Sequence, residues 1–379
     1  MKIVFLSNFL NHHQTALSDT LWRKTGGEYL FVETGRMPVE RKALGYPDAR
    51  RAYAVGLKGN ETIILQKLRE ADVVIAGSAP EWLIRERIKS GKLLFRYLER
   101  PLKNGPEPMK YLPRLIRWHW RNPPGKPIYL LCASAYTAGD HAKFGLFRGR
   151  AFRWGYFPEW KEYDAQTLLS SKDATEIVWC GRFLKLKHPE DTLTAARKLK
   201  NEGYDFQLKL IGAGEMEEQL RQMVRDLGLE DCVEFLGARK PEEVRSAMEH
   251  AGIYLFTSDR REGWGVVLNE AMNSGCAVIA SHAIGSVPFL VKDGENGLVY
   301  PSGNVEMLCE KVKYLLEKTE EQKRLGRAAY ETIRATWNGE VAADRLIALS
   351  ESLLAGEDPG LFDNGPCSRA EEIKESWFA

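Results

Sequence analysis

The feature that most limits what this chain can fold into is an alternation that runs along most of its length. Short apolar runs rich in Val, Ile, Leu and Phe are separated by longer amphipathic stretches. In the first half the runs are Lys2–Ser7, Tyr29–Glu33, Asp72–Ala76, Leu93–Leu98 and Ile128–Ala133. In the second half they are Glu176–Cys180, Gln207–Ile211, Val233–Leu236, Ile253–Thr257 and Ala277–Ser281. Near-continuous apolar runs of this length fit strands covered on both faces, as in a parallel sheet sandwiched by helices. Between them Pro189–Asn201, Glu215–Leu227, Pro241–His250 and Trp264–Ser274 read as helices. Strand–helix alternation builds βαβ units and an α/β fold. A length of 379 residues suggests two such domains. The aperiodic, aromatic stretch Trp154–Asp173, just before the strand at Glu176, is the best boundary, giving an N-terminal lobe over 1–160 and a second over 161–339.

Composition excludes several classes. The chain is 44% hydrophobic, too apolar for a disordered protein. A net charge of +2 does not suggest a nucleic-acid binder, and no nucleic-acid partner is expected. The six cysteines contain no Cys-x-x-Cys pair and read as reduced thiols of a cytoplasmic protein. No apolar run is long enough to span a bilayer, and Met1–Leu10 reads as a first strand rather than a leader.

Chemistry concentrates in the string Glu262-Gly263-Trp264-Gly265-Val266-Val267-Leu268-Asn269-Glu270. It follows a strand and opens a helix. The two glycines allow a close backbone approach, and a helix start at about Trp264–Val266 offers free N–H groups to an anion such as a pyrophosphate. Glu262 at the rim is placed to accept hydrogen bonds from hydroxyls, and Glu270, deeper, to chelate a vicinal diol. Taken singly, each glutamate reads as an ordinary solvated charge. After the strand Gln207–Ile211 comes a Gly212-Ala213-Gly214 turn, but position 217 is Glu rather than the Gly of a dinucleotide fingerprint, which argues against a nicotinamide lobe.

The string resembles the E-x7-E motif of retaining glycosyltransferases of the GT-B fold, family 4 type. The resemblance covers most of residues 176–340 and is more diffuse before them. It implies two facing Rossmann-like lobes, parallel sheets, and a C-terminal helix that crosses back, so that 340–379 joins the first lobe. It further implies a nucleotide-sugar donor held by the second lobe, retention of anomeric configuration and no metal cofactor. By that resemblance Arg182 and Lys187 (in Gly181-Arg-Phe-Leu-Lys-Leu-Lys187) hold the donor diphosphate, helped by Gly263, Trp264, Gly265, Val266 and Val267. Gly212, Gly214, Gly237 and Arg239 lie near the nucleotide, Glu270 at its ribose and Glu262 at the donor sugar. Lys185 is close enough to exchange roles with Lys187. The Asp-x-Asp of metal-dependent glycosyltransferases is absent, and the His and Cys residues lack zinc spacing. Where the family often has two glycines and then a Glu, this chain reads Gly285-Ser286-Val287-Pro288-Phe289.

The resemblance assigns the acceptor to the first lobe. His12 and His13, after the first strand, stand where the family usually has glycines. Glu99 stands where many members have a His. All three are candidates for the reaction centre. The alternatives are packed or surface histidines, and a Glu99 paired with Arg96 or Arg100. Between Arg85 and Lys126 there are 12 basic and 3 acidic residues, so +9 there leaves −7 for the rest. Aromatics interleave with cations in Tyr111–Trp120, as in segments that lie on anionic membranes. A solvated helix–loop, or a clamp on an anionic acceptor, has the same pattern. The expectation is therefore a glycosyltransferase acting from a UDP-sugar onto a hydroxyl of a glycan or lipid-linked acceptor in surface polysaccharide synthesis, cytoplasmic and in contact with the inner membrane face through 85–126. A nucleotide-sugar epimerase, a phosphorylase or a non-catalytic nucleotide-sugar binder on the same fold is the alternative.

Overall fold

Each expected strand is found within three residues of its expected bounds, and three short ones join them. The computed structural model describes residues 1–36, 51–105, 109, 111–357 and 359–378. These residues divide into two α/β units. The first takes Met1–Glu159 and Trp337–Lys374; the second takes Trp160–Thr336 and the segment from Glu375 onward. All pairings between the named strands are parallel. The doubly wound α/β class follows directly from the alternation of apolar runs and helices.

The first unit holds β1 (Ile3–Ser7), β2 (Tyr29–Glu33), β3 (Ala54–Gly56), β4 (Val73–Ala76), β5 (Leu94–Leu98), β6 (Ile128–Cys132) and β7 (Ala151–Arg153), in the order β3-β2-β1-β4-β5-β6-β7. The second holds β8 (Asp173–Cys180), β9 (Gln207–Ile211), β10 (Val233–Gly237), β11 (Ala251–Phe256), β12 (Ala277–Ser281) and β13 (Leu298–Tyr300), in the order β10-β9-β8-β11-β12-β13. Both sheets therefore reverse direction of growth beside their first strand, which opens a crevice at the carboxyl ends of the central strands. β1, β4, β11 and β12 are buried at every position. That is why they read as unbroken apolar runs.

Two features close the first unit. Helix Gly339–Ala355 lies against helix His12–Lys24. Its first residue must be glycine, because a Cβ there would stand 2.9 Å from the Leu17 amide nitrogen. Lys24 pairs with Asp344 at 2.6 Å along the same seam. Beyond that helix the chain runs beside β7, exchanging Arg153 N–H to Ser368 O and Cys367 N–H to Arg153 O at 2.8 Å each. The edge of the sheet is thus covered rather than left as an open template. The segment from Glu375 on, expected with the first lobe, groups with the second unit instead. Among the described residues no helix is long and apolar enough to cross a membrane, and all six cysteines are free thiols.

Candidate donor site

In the second sheet the order reverses between β8 and β11, and the loops leaving these two strands meet. The Trp179 indole on β8 donates to Thr257 Oγ1 at 2.9 Å, and Thr257 Oγ1 donates to Lys187 O at 2.7 Å. The Asp259 amide donates to Leu186 O at 2.9 Å. This stitching brings the Lys187 ammonium onto the Glu262 carboxylate. Ser258 Oγ donates to the same Glu262 oxygen at 3.1 Å. The two side chains are only 14% and 13% exposed, so water screens their attraction less than it would on an open surface.

The Glu262–Glu270 string differs locally from the expected helix start. The helix begins at Val267, and Gly263–Val266 form an irregular turn before it. Gly265 sits at φ +81°, where a Cβ would fall 2.2 Å from the Phe256 ring. That backbone cannot belong to a right-handed helix. Trp264 is buried and its indole donates to Asn269 Oδ1 at 2.9 Å, so its side chain anchors the turn. The N–H groups of Gly265, Val266 and Val267 have no protein acceptor among the described residues. Glu270 is half-buried and its carboxylate accepts no hydrogen bond among the described residues. Burial pushes its pKa up, and the Arg245 charge partly offsets this.

Arg182 is exposed and has no carboxylate partner among the described residues; Lys185 is the same. Gly212 and Gly214 support the loop that carries Arg182. A Cβ on Gly212 would lie 1.9 Å from Gly181 O, and one on Gly214 2.5 Å from Phe183 O. The space beside these two glycines is therefore filled by the protein's own backbone. Gly212 N–H in turn donates to Gly237 O at 2.9 Å, so the loops after β8, β9 and β10 are joined. Arg239 is exposed and pairs with Glu243 at 3.4 Å.

Two groups at this site are not apparent from motifs. His188 follows Lys187 in the left-handed region at φ +49°. Its Nδ1 lies 3.1 Å from Glu190 Oε1 and its Nε2 3.2 Å from Asp259 Oδ2. Glu190 chiefly, with Asp259, raises its pKa to about 9 against the cost of burial. His188, Glu190 and Asp191 are close enough to share a cation. However, both ring nitrogens are already engaged by carboxylates, Nδ1 by Glu190 and Nε2 by Asp259. The second group involves residue 375. Arg260, two residues before Glu262, pairs with Glu375 at 2.7 Å. Ser302 N–H donates to His282 Nδ1 at 2.9 Å, which leaves Nε2 as the donor to Glu375 O at 3.0 Å. The only sequence signal for any of these is His188-Pro189-Glu190-Asp191, a helix opening.

In the first unit His12 and His13 are the first residues of helix His12–Lys24 rather than part of a loop. Asn11 is the reason: its side chain caps the helix by accepting the His13 N–H at 2.9 Å. The two imidazole centroids lie 3.6 Å apart, with the ring planes tilted by 52°. Glu99 lies just past β5, meeting Lys103 at 3.3 Å and accepting the Tyr156 hydroxyl at 3.2 Å. Neither Arg96 nor Arg100 is its partner. Arg96 pairs with Glu81 at 3.3 Å and Arg100 with Asp140 at 3.1 Å, both arginines being buried. The buried Arg87 donates to backbone carbonyls of Leu68, Ala71 and Leu93. Three of the twelve basic residues of the +9 stretch are therefore internal structure. Its Lys110 and Glu107 lie outside the described residues.

Comparisons with known proteins bear on both units. The chain is 30% identical over 166 residues to the amylovoran biosynthesis glycosyltransferase AmsK of Erwinia amylovora, covering 42% of this chain and 40% of that protein. It is 28% identical over 184 residues to the putative colanic acid biosynthesis glycosyltransferase WcaL of Escherichia coli, covering 47% and 45%. The chain thus spans less than half the length of these curated relatives. Anabaena HepE, solved with UDP, superposes with a TM-score of 0.68 at 18% identity over 93% of this chain and all of that one. Sucrose-phosphate synthase of Thermosynechococcus elongatus gives 0.66 at 18% identity over 94% and 100%. These likenesses establish the fold, two parallel-sheet α/β domains of the GT-B kind. Residues 161–332, most of the second unit, match the family model described as glycosyl transferases group 1.

Proposed function

We propose that the chain is a retaining, metal-independent glycosyltransferase that moves a sugar from a UDP-sugar to a hydroxyl of a glycan or lipid-linked acceptor in surface polysaccharide synthesis. The observation that carries this is the meeting of Lys187 and Glu262 at the switch point, beside three unused amides and the uncommitted Arg182. A departing nucleoside diphosphate gains negative charge. Lys187, Arg182 and the N–H groups of Gly265–Val267 meet that charge with dipoles and cations already in place. Glu262, oriented by Ser258 and Lys187, accepts hydrogen bonds from the donor sugar. Glu270, whose carboxylate accepts no hydrogen bond from the described residues, takes the ribose diol. His12, His13 and Glu99 act on the acceptor side. The names of the relatives support the pathway: amylovoran and colanic acid are the products named for AmsK and WcaL. HepE, solved with UDP-glucose, supports the donor class.

The test is UDP release from a panel of nucleotide-sugars, with and without glycan acceptors and with a chelator present. Glu262→Ala should lower kcat/KM by about a hundredfold or more, as loss of a preorganised polar contact at a reacting centre does. Unchanged release by Glu262→Ala ends the assignment. An inverted anomeric centre in the product, read by NMR, ends the retaining mechanism, and loss of turnover in the chelator ends the metal-independent one.

A further inference from the structure

Helix Tyr111–Arg121 has no fully buried residue among its eleven. One side rests on the first unit: Leu115 and Trp118 pack on Leu102, Phe144 and Leu146, and His119 Nε2 is 2.9 Å from Phe144 O. The other side carries Leu112, Ile116 and Trp120, spaced four residues apart and 61%, 64% and 51% exposed. Arg117 stands exposed beside them with no carboxylate partner among the described residues, and the helix contains no acidic residue. Helix Glu81–Ser90 extends this face with exposed Trp82, Arg85 and Lys89. The Arg85 guanidinium stacks on the Trp120 ring at 3.5 Å, and Glu81 pairs with Arg121 at 3.4 Å, which fixes one helix to the other.

We propose that this two-helix face docks the protein on an anionic lipid surface. Leu112, Ile116 and Trp120 enter the headgroup–acyl boundary, and Arg85 and Arg117 meet lipid phosphates. Side chains more than half exposed form a ridge, not a groove. A ridge of apolar and aromatic residues flanked by arginines fits a deformable, negatively charged interface. Among the described residues this face stands out as a ridge, whereas recognition of a peptide helix or strand uses a groove or a free sheet edge. The division of labour among the basic residues follows. Arg121 is committed to Glu81 and Lys89 to Glu86, so the cations left for lipid are Arg85 and Arg117. This goes beyond the glycosyl-transfer reading and does not depend on it.

The experiment is co-sedimentation of the full chain, without sugar donor, with phosphatidylcholine vesicles that contain or lack phosphatidylglycerol. The parent should pellet with the anionic vesicles only, and less so as salt rises. The pair Ile116→Ser with Trp120→Ser, and separately the pair Arg85→Gln with Arg117→Gln, should each weaken partitioning by about tenfold. Melting temperatures check that each variant is folded. Quenching of tryptophan fluorescence by brominated lipid reads the same contact in the parent with no substitution. Absence of anionic-vesicle binding and of quenching overturns the proposal. So does parental binding by both variant pairs, or equal binding to neutral vesicles.

Discussion

At the scale of single residues, His188 shows how a charge can hold a site together. It occupies a left-handed backbone position that a non-glycine residue adopts at a cost, and two carboxylates hold its ring from different elements. Its pKa rises from 6.5 to about 9 on folding. The sign is that of a cation gained on folding. Its stabilisation is complete below pH 6.5, the unfolded value, and is lost as pH rises through about 9. The melting temperature of His188→Gln should therefore lie furthest below the parent at pH 6, with the gap closing by pH 9.5; a constant gap would assign the loss to packing alone. Glu270 has the opposite logic. Its carboxyl is raised by burial, so it is the acid at this site most readily neutralised. Donor affinity measured by calorimetry should fall as pH drops and this raised carboxyl takes up its proton, and Glu270→Gln should abolish that fall. The positions of Arg182, Lys187, Glu262 and Glu270 could be read from sequence because each lies in or just beyond a loop that follows a long apolar run. The His188–Asp259 contact could not, because it joins residues 71 apart through a backbone conformation that no propensity announces.

At the scale of elements, the same physics explains what was visible and what was hidden. β1, β4, β11 and β12 declare themselves because both faces are buried. β3, β7 and β13 have three residues each and lie at sheet edges, too short for any period to show. The sequence places the start of helix Val267–Asn273 three residues early, at Trp264, because Trp264 and Val266 fit an apolar face. What defers the helix is the Gly265 backbone against the Phe256 ring. The loops after β8 and β9 form another unit of this kind. Gly212→Ala would place a methyl 1.9 Å from Gly181 O, at a φ of +147°. It should destabilise the second unit by about 3 kcal/mol, the range of severe backbone clashes, as a fall in the chemical-denaturation midpoint. Gly237→Ala, with open space around its Cβ position, should cost about 1 kcal/mol from its positive φ alone.

At the scale of the whole molecule, the chain passes between the units three times, near residues 159, 336 and 374. The last passage ties Glu375 to Arg260, two residues from the Glu262 carboxylate. The pair is partly exposed, so its worth is at most about 1 kcal/mol. Glu375→Gln should accordingly raise the donor KM by about threefold and leave kcat within a factor of two. A kcat loss with KM unchanged would assign Glu375 a role in chemistry instead. The two-domain α/β layout was legible from the alternation of runs. This third passage was not, because nothing in a polar tail reveals which unit it will meet.

The seam between helix His12–Lys24 and helix Gly339–Ala355 also governs how the protein is made. Arg23 and its partner Glu340 are separated by 317 residues. At ribosomal speeds of about 5–20 residues per second, the first helix leaves the exit tunnel roughly 15–65 s before the segment that covers it. During that interval the N-terminal sheet can form, but the outer side of its first helix stays bare. This helix is therefore completed only by a segment made about 300 residues after it, and nascent chains stalled between the two would present it to chaperones.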